Sequence, residues 1–316
     1  MAIKRIEVKD FLVFKNSFTA DFCRGVNVFI GGNGTGKTTL LKLLCVEYKG
    51  CFAGKGTDEL INEYFGVNTP YNQGDVKIIT DETADNVEFN MFGDVFIPEK
   101  DILEHARGLL SFIEQKQTGF NEIYRTLLIS AQDVYTKMQS SLQKSITEKI
   151  GRLIGGYVYW DMKEGSFYTV KDDGSRIPFS HEASGYKRIG LLGLLVSCGQ
   201  LEPGSILFWD EPENSLNPEY IPVIVDILLE LAKSGVQIFV ATHSYTLTRF
   251  FDVREDKSIN VCFHNMSKSE AGQIICDSSP KYIKLANNIL EDTAGDVFEA
   301  VIQDARKCLM GDDEDE

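Results

Sequence analysis

Val26-Asn-Val-Phe-Ile30, followed by Gly31-Gly32-Asn33-Gly34-Thr35-Gly36-Lys37-Thr38-Thr39, decides the fold. Residues 26–30 form a nearly continuous apolar run, the pattern of a strand buried on both faces. The residues from Gly31 to Thr38 match G-x-x-x-x-G-K-[ST], a phosphate-binding loop set between a strand and a helix. Its glycines let the chain curl so that N–H groups point at phosphate oxygens, and the helix start adds partial positive charge. Lys37–Tyr48, rich in Leu and Lys, reads as that helix. In this pattern Gly32, Asn33, Gly34, Thr35, Gly36 and Thr39 line the nucleotide, Lys37 reaches its outer phosphates and Thr38 ligates Mg²⁺.

Downstream, Ser205-Ile-Leu-Phe-Trp-Asp210-Glu211-Pro212 is a second buried strand, ending in two acids. Beyond a phosphate loop such a strand places Asp210 in the shell of the metal and Glu211 beside the attacking water. A third buried strand, Gln237–Ala241, leads to His243, which stands where it can hydrogen-bond a terminal phosphate. A lone histidine at a strand end is more often structural. Ala183-Ser184-Gly185-Tyr186-Lys187-Arg188 opens the helix that precedes the acidic strand. Ser184 and the neighbouring N–H groups of Gly185 make a second anion site at a helix start, although a Ser-Gly pair is also an ordinary way to begin a helix. In one chain two such sites face apart, and two chains placed head to tail close both around shared nucleotides.

A phosphate loop, a Ser-Gly signature, a D-E-P strand and a strand-end histidine, in this order, resemble the ABC ATPases. Ile6–Phe14, Val26–Leu41 and Asp210-Glu-Pro-Glu-Asn-Ser-Leu-Asn-Pro218 are more narrowly similar to the non-transporter SMC/RecF/OLD-like branch, the AAA-type ATPases of phage-defence and DNA-repair operons. The resemblance covers residues 1–50 and 180–250. It implies an α/β fold: an ABC-type head with a mixed sheet around the phosphate-loop core, an antiparallel β subdomain and a helical insertion. It further implies ATP and Mg²⁺ as cofactors, Ser215–Asn217 at a dimer interface, and Lys37, Glu211 and His243 as the catalytic set. Glu99 stands where the branch carries a lid glutamine, and is expected to join Thr38 and Asp210 at the metal. The implied function is hydrolysis of ATP by a nucleotide-sandwiched homodimer that switches a separate effector, a nuclease or toxin, in anti-phage defence. The alternative is a DNA-binding repair ATPase of the SMC/RecF type. The signature lacks the leucine and second glycine of transporter subunits, and no helix offers the arginine finger of a ring motor.

The domain reading is an N-terminal lobe over 1–98, a helical insertion over 99–156, a C-terminal lobe over 157–310 and an acidic tail over 311–316. Apolar residues at three- and four-residue spacing from Leu127 through Ala131, Val134, Met138, Leu142 and Ile146 to Ile150 mark the insertion as helical. Net charge is −15, which disfavours nucleic acid as a default partner. Residues 100–152 nevertheless balance at +2, with eight bases against six acids, so they are the place where DNA or RNA would be touched. Seven cysteines without a C-x-x-C pair and four scattered histidines point to free thiols rather than a zinc site. The opening MAIKRIEVKD has no signal-peptide core, and no apolar stretch reaches the length of a membrane span, so a cytoplasmic protein is expected.

Overall fold

The computed structural model describes residues 1–53, 57–65, 75–81, 93–100, 122–132, 140–254 and 258–310, together with Leu103, Ala106, Gly108 and Leu109. Its centre is a six-stranded sheet in the order β12 (Ile274–Ser279), β11 (Val261–Lys268), β3 (Val26–Gly31), β10 (Gln237–Ala241), β9 (Ile206–Asp210), β5 (Asp94–Ile97). All pairs are parallel except β11 with β12. A separate antiparallel sheet runs β2 (Phe14–Asp21), β1 (Ile3–Phe11), β4 (Asp75–Thr80). A third, also antiparallel, runs β6 (Gly156–Asp161), β7 (Ser166–Lys171), β8 (Arg176–Pro178). The expected mixed sheet with an antiparallel subdomain is therefore present.

The central strands are mostly apolar because both faces are covered. Val28, Leu207, Trp209, Ile238 and Val240 point into one core, and Phe29, Ile206, Phe208, Phe239 and Ala241 into the other. Phe96, Phe208, Phe239 and Phe29 form a row of stacked rings across the second face, at centroid separations of 6.3, 5.2 and 6.3 Å. His264 ends that row, stacked on Phe29 at 4.8 Å and fully buried. Burial holds it neutral, with its pKa pushed down to about 3. It is a core histidine.

Helix α1 (Lys37–Ala53) runs longer than its pattern indicated and packs with α2 (Thr57–Phe65) under the second face. The other face carries α3 (Glu122–Gln132), α4 (Ser141–Ile154), α5 (Ser184–Ser197) and α6 (Ile221–Ser234). The apolar stripe through 127–150, expected to be helical, is shared by two helices, α3 and α4. Ser140 starts α4 with a reciprocal capping box to Gln143, and Gly155 ends it in the left-handed region. Leu127, Ala131, Ile146 and Ile150 are buried, while Val134 and Met138 lie outside the described residues. Asn217 caps the short helix Pro218–Tyr220 that leads into α6, and Gly235 ends α6 at φ 106°. Helices α7 (Tyr245–Val253) and α8 (Ile289–Met310) close the chain. Among the described residues no helix is long and apolar enough to cross a membrane.

Candidate functional site

Strand register assembles the site. Phe29, Ala241 and Asp210 are aligned across β3, β10 and β9, and Ile97 of β5 lies beside Trp209. The loops that follow these strands therefore leave from one edge, the carboxyl edge, where parallel sheets bind ligands. That edge brings together Gly31–Thr39, Glu211, His243 and Glu99.

The phosphate loop is folded around its own lysine. The Lys37 ammonium donates to the carbonyls of Gly31 at 2.8 Å and Gly32 at 3.1 Å, and the Thr35 hydroxyl donates to Gly32 at 2.9 Å. Burial draws the Lys37 pKa down to about 8, opposed by Glu211, Asp210 and Glu213. Gly36 at φ 88° has no room for a side chain, since a Cβ would stand 2.8 Å from Val13. Gly32 and Thr39 are half-buried, while Asn33 and Gly34 are exposed. A cavity of about 690 Å³ opens between Gly31–Asn33, His243 and the apolar residues Val297, Phe298 and Val301 of α8.

The Thr38 hydroxyl donates to both carboxylate oxygens of Asp210, at 2.9 and 3.1 Å. A hydroxyl and a carboxylate in direct contact are two hard oxygen donors, the chemistry a Mg²⁺ ion selects. Asp210 is 3% exposed, and burial raises its pKa. The exposed Glu99 lies near enough to raise it further. Glu211 follows with φ 51°, an uncommon backbone for a residue with a Cβ, and its N–H donates to Ala241 at 2.8 Å. Its Oε1 is 3.3 Å from Nε2 of His243. Burial, then the neighbouring Glu213 and Asp210 carboxylates, push the Glu211 pKa up to about 8. Burial and the charge of Lys37 keep His243 below its ordinary value, so it is neutral at neutral pH.

Ser184 is exposed at the first turn of α5, and the preceding Ala183 gives that helix no side-chain cap. Its first-turn N–H groups are thus not taken by a capping side chain. Gly185 is buried against Ser215, whose carbonyl would lie 3.0 Å from an added Cβ. The helix start therefore packs on the turn that follows Glu211. Phe11 and Phe14 are 2% and 0% exposed, so neither offers a free face to a base.

Two residues of the site carried no role in the sequence reading. Arg188 is 5% exposed on α5. Its guanidinium donates to the carbonyls of Pro98 (3.0 Å), Glu99 (2.8 Å), Asp210 (3.5 Å), Glu211 (2.8 Å) and Asn214 (3.3 Å). One side chain thereby joins the signature helix to the loops after β5 and β9. The signal for it was a charge next to the long apolar run Ile189–Val196 of the same helix. Arg188→Ala is expected to cost on the order of 3 kcal/mol, lowering Tm by about 4–5 °C in thermal denaturation of a chain this long; an unchanged Tm would remove Arg188 from this role. Glu213 is the second, and its contacts are described below.

Residues 112–249 match the family described as "AAA domain, putative AbiEii toxin, Type IV TA system", and residues 5–155 match one described as "AAA domain". The structural maintenance of chromosomes protein 3 homolog of Plasmodium falciparum is 25% identical over 194 residues, 56% of this chain and 15% of that protein. The L-cystine import ATP-binding protein TcyN of Bacillus subtilis is 27% identical over 107 residues, 31% of this chain and 39% of that one. The chain thus spans well under two thirds of either relative. An SMC head solved with the C-winged helix domain of ScpA shares the fold at a TM-score of 0.53 and 14% identity, covering 88% of this chain and 98% of that one. The SMC head domain from Thermotoga maritima does so at 0.51 and 16%, covering 88% and 99%. With two AAA-domain matches, each covering less than half of the chain, and the head fold of SMC proteins, the chain is similar to P-loop ATPases of AAA-domain type.

Proposed function

We propose that this chain hydrolyses ATP in a site shared between two copies, and that closing and opening of the dimer switches a separate effector, a nuclease or toxin, in anti-phage defence. The observation that carries the reading is the gathering of Lys37, the Thr38–Asp210 pair and the Glu211–His243 pair at one sheet edge. Gly31–Thr39 bind the triphosphate, and Thr38 and Asp210, with Glu99 nearby, hold Mg²⁺. The bound metal neutralises charge on the phosphates. Glu211 accepts the proton of the attacking water, and neutral His243 orients the terminal phosphate. The exposed Ser184 and its uncapped helix start supply the second anion site, which serves the partner copy's nucleotide rather than its own.

Two comparisons support a separate partner. One matched family is described by a toxin of a toxin–antitoxin system, and one structural neighbour is an SMC head holding a domain of another protein. In this reading the lobes 1–98 and 157–310 form the switch, and the 99–156 segment reports its state outward. A DNA-binding repair ATPase is the second reading, favoured by the SMC-head fold and the basic balance of residues 100–152.

The test is phosphate release by the wild-type chain beside Lys37→Ala. Wild type should turn over Mg·ATP, and the variant should lose both turnover and nucleotide binding, read by a fluorescent ATP analogue. Turnover by Lys37→Ala at the wild-type rate would sink the assignment of the loop. A steep, salt-sensitive affinity for duplex DNA that is lost on neutralising bases in 100–152 would favour the second reading.

A further inference from the structure

Glu213 sits two residues beyond Glu211, in the turn between β9 and the helix Pro218–Tyr220. Its Oε1 collects three donors from the loop after β10: the Thr242 hydroxyl, the N–H of His243 at 3.1 Å and the N–H of Ser244 at 3.0 Å. The Thr242 hydroxyl itself accepts from the Ser244 N–H at 2.9 Å, and Thr242 is fully buried. Ser244 is also the N-cap of α7, accepting from Leu247 at 3.1 Å. One carboxylate oxygen thus fixes three consecutive residues and, through Ser244, the start of the helix behind them.

We propose that Glu213 is a positioning residue of the hydrolytic site: it clamps the His243 loop to the turn that follows Glu211, and so sets where the His243 ring stands. The inference rests on the ATP-hydrolysing reading above. The loop cannot shift without breaking all three bonds, so the 3.3 Å approach of His243 Nε2 to Glu211 is maintained from behind. Nothing else in the turn could do this. Pro212 has no donor or acceptor on its side chain, and the Asn214 side chain accepts from Ser215.

The test compares kcat and KM for ATP in wild type, Glu213→Ala, Glu213→Asp, Glu213→Gln, His243→Ala and the Glu213→Ala/His243→Ala double variant. Glu213→Ala removes the acceptor, and Glu213→Asp withdraws it by one methylene. Both should lower kcat about 10- to 100-fold, the scale on which small misplacements act, with KM within about twofold. Glu213→Gln keeps an oxygen acceptor and should recover most of the rate. The double variant should be no slower than His243→Ala, because Glu213 acts through that ring. Amide exchange of the peptide spanning 240–250 should speed up in Glu213→Ala and Glu213→Asp, and stay near wild type in Glu213→Gln. A wild-type rate in Glu213→Asp, losses that multiply in the double variant, or unchanged exchange would each overturn the clamp. If wild type itself releases no phosphate, the functional reading fails, and the exchange experiment still decides whether the clamp exists.

Discussion

Glu211→Gln is expected to lower kcat for ATP by about 10³-fold while leaving nucleotide binding intact. The amide keeps the shape of the side chain but cannot take the proton of the attacking water. Because closure needs the nucleotide and not its hydrolysis, the variant should accumulate as the sandwiched dimer. Light scattering should then read a doubled mass with Mg·ATP and the monomer mass without it. A variant that turns over at the wild-type rate would remove Glu211 from the chemistry. One that is arrested but never changes mass would keep the chemistry and discard the ATP-driven dimer. The same substitution carries a stability signature. In the folded chain without nucleotide or metal, burial and the neighbouring carboxylates raise the Glu211 pKa from 4.5 to about 8, and a bound Mg²⁺ would lower it again and free the carboxylate to act as base. Between those values the folded state binds the extra proton. Stability from this group is therefore full at low pH and is lost as pH rises toward 8. Glutamine does not ionise, so without nucleotide Glu211→Gln should melt a few degrees above wild type at pH 8 and level with it near pH 4.5. A variant that melts lower at pH 8 would contradict the like-charge crowding of Glu211, Glu213 and Asp210.

What was legible in the sequence follows from how local each cause is. Val26–Ile30, Ile206–Trp209 and Gln237–Ala241 are strands buried on both sides, and burial on both sides is written as unbroken apolar runs. The phosphate loop is a backbone shape that only glycines at fixed spacing allow, and Gly31, Gly34 and Gly36 all take positive φ. The neighbours of these elements were another matter. Arg188 earns its place through five carbonyl groups from two distant segments, and a carbonyl belongs to every residue, so no pattern announces it. Glu213 depends on the parallel register of β9 and β10, which brings residues 213 and 242–244 together. Its one local sign was a third acid so soon after the first two. The stripe through 127–150 showed helix but not where one helix ends and the next begins, which the Ser140 cap sets. Strand β8 has three residues, too few for any alternation to show.

Ser184→Arg should bind ATP as well as wild type and lose hydrolysis by about 10²-fold or more, because a bulky cation then blocks the second anion site. Lys37→Ala should lose turnover for the opposite reason, since its phosphate loop cannot hold the nucleotide. Neither result alone says which chain Ser184 serves; a mixture of the two does. In a mixed dimer the Lys37→Ala copy brings an intact Ser184 to the intact phosphate loop of the Ser184→Arg copy, and one of the two sites is whole. Random pairing makes about half of the dimers mixed, so independent sites would return about a quarter of the wild-type rate. Recovery on this scale requires that the two halves of a site come from different chains. No recovery at any ratio, with mixed dimers demonstrated by differential tagging, would mean that Ser184 works within its own subunit. The exposed start of α5, with no capping side chain at Ala183 and with Gly185 seated on Ser215, would then be an ordinary helix start braced on its own turn. In the shared-site reading, by contrast, the helix start leans on the turn carrying Glu211 and Glu213, so a partner's phosphate docking on Ser184 would press on the same turn that positions the hydrolytic pair.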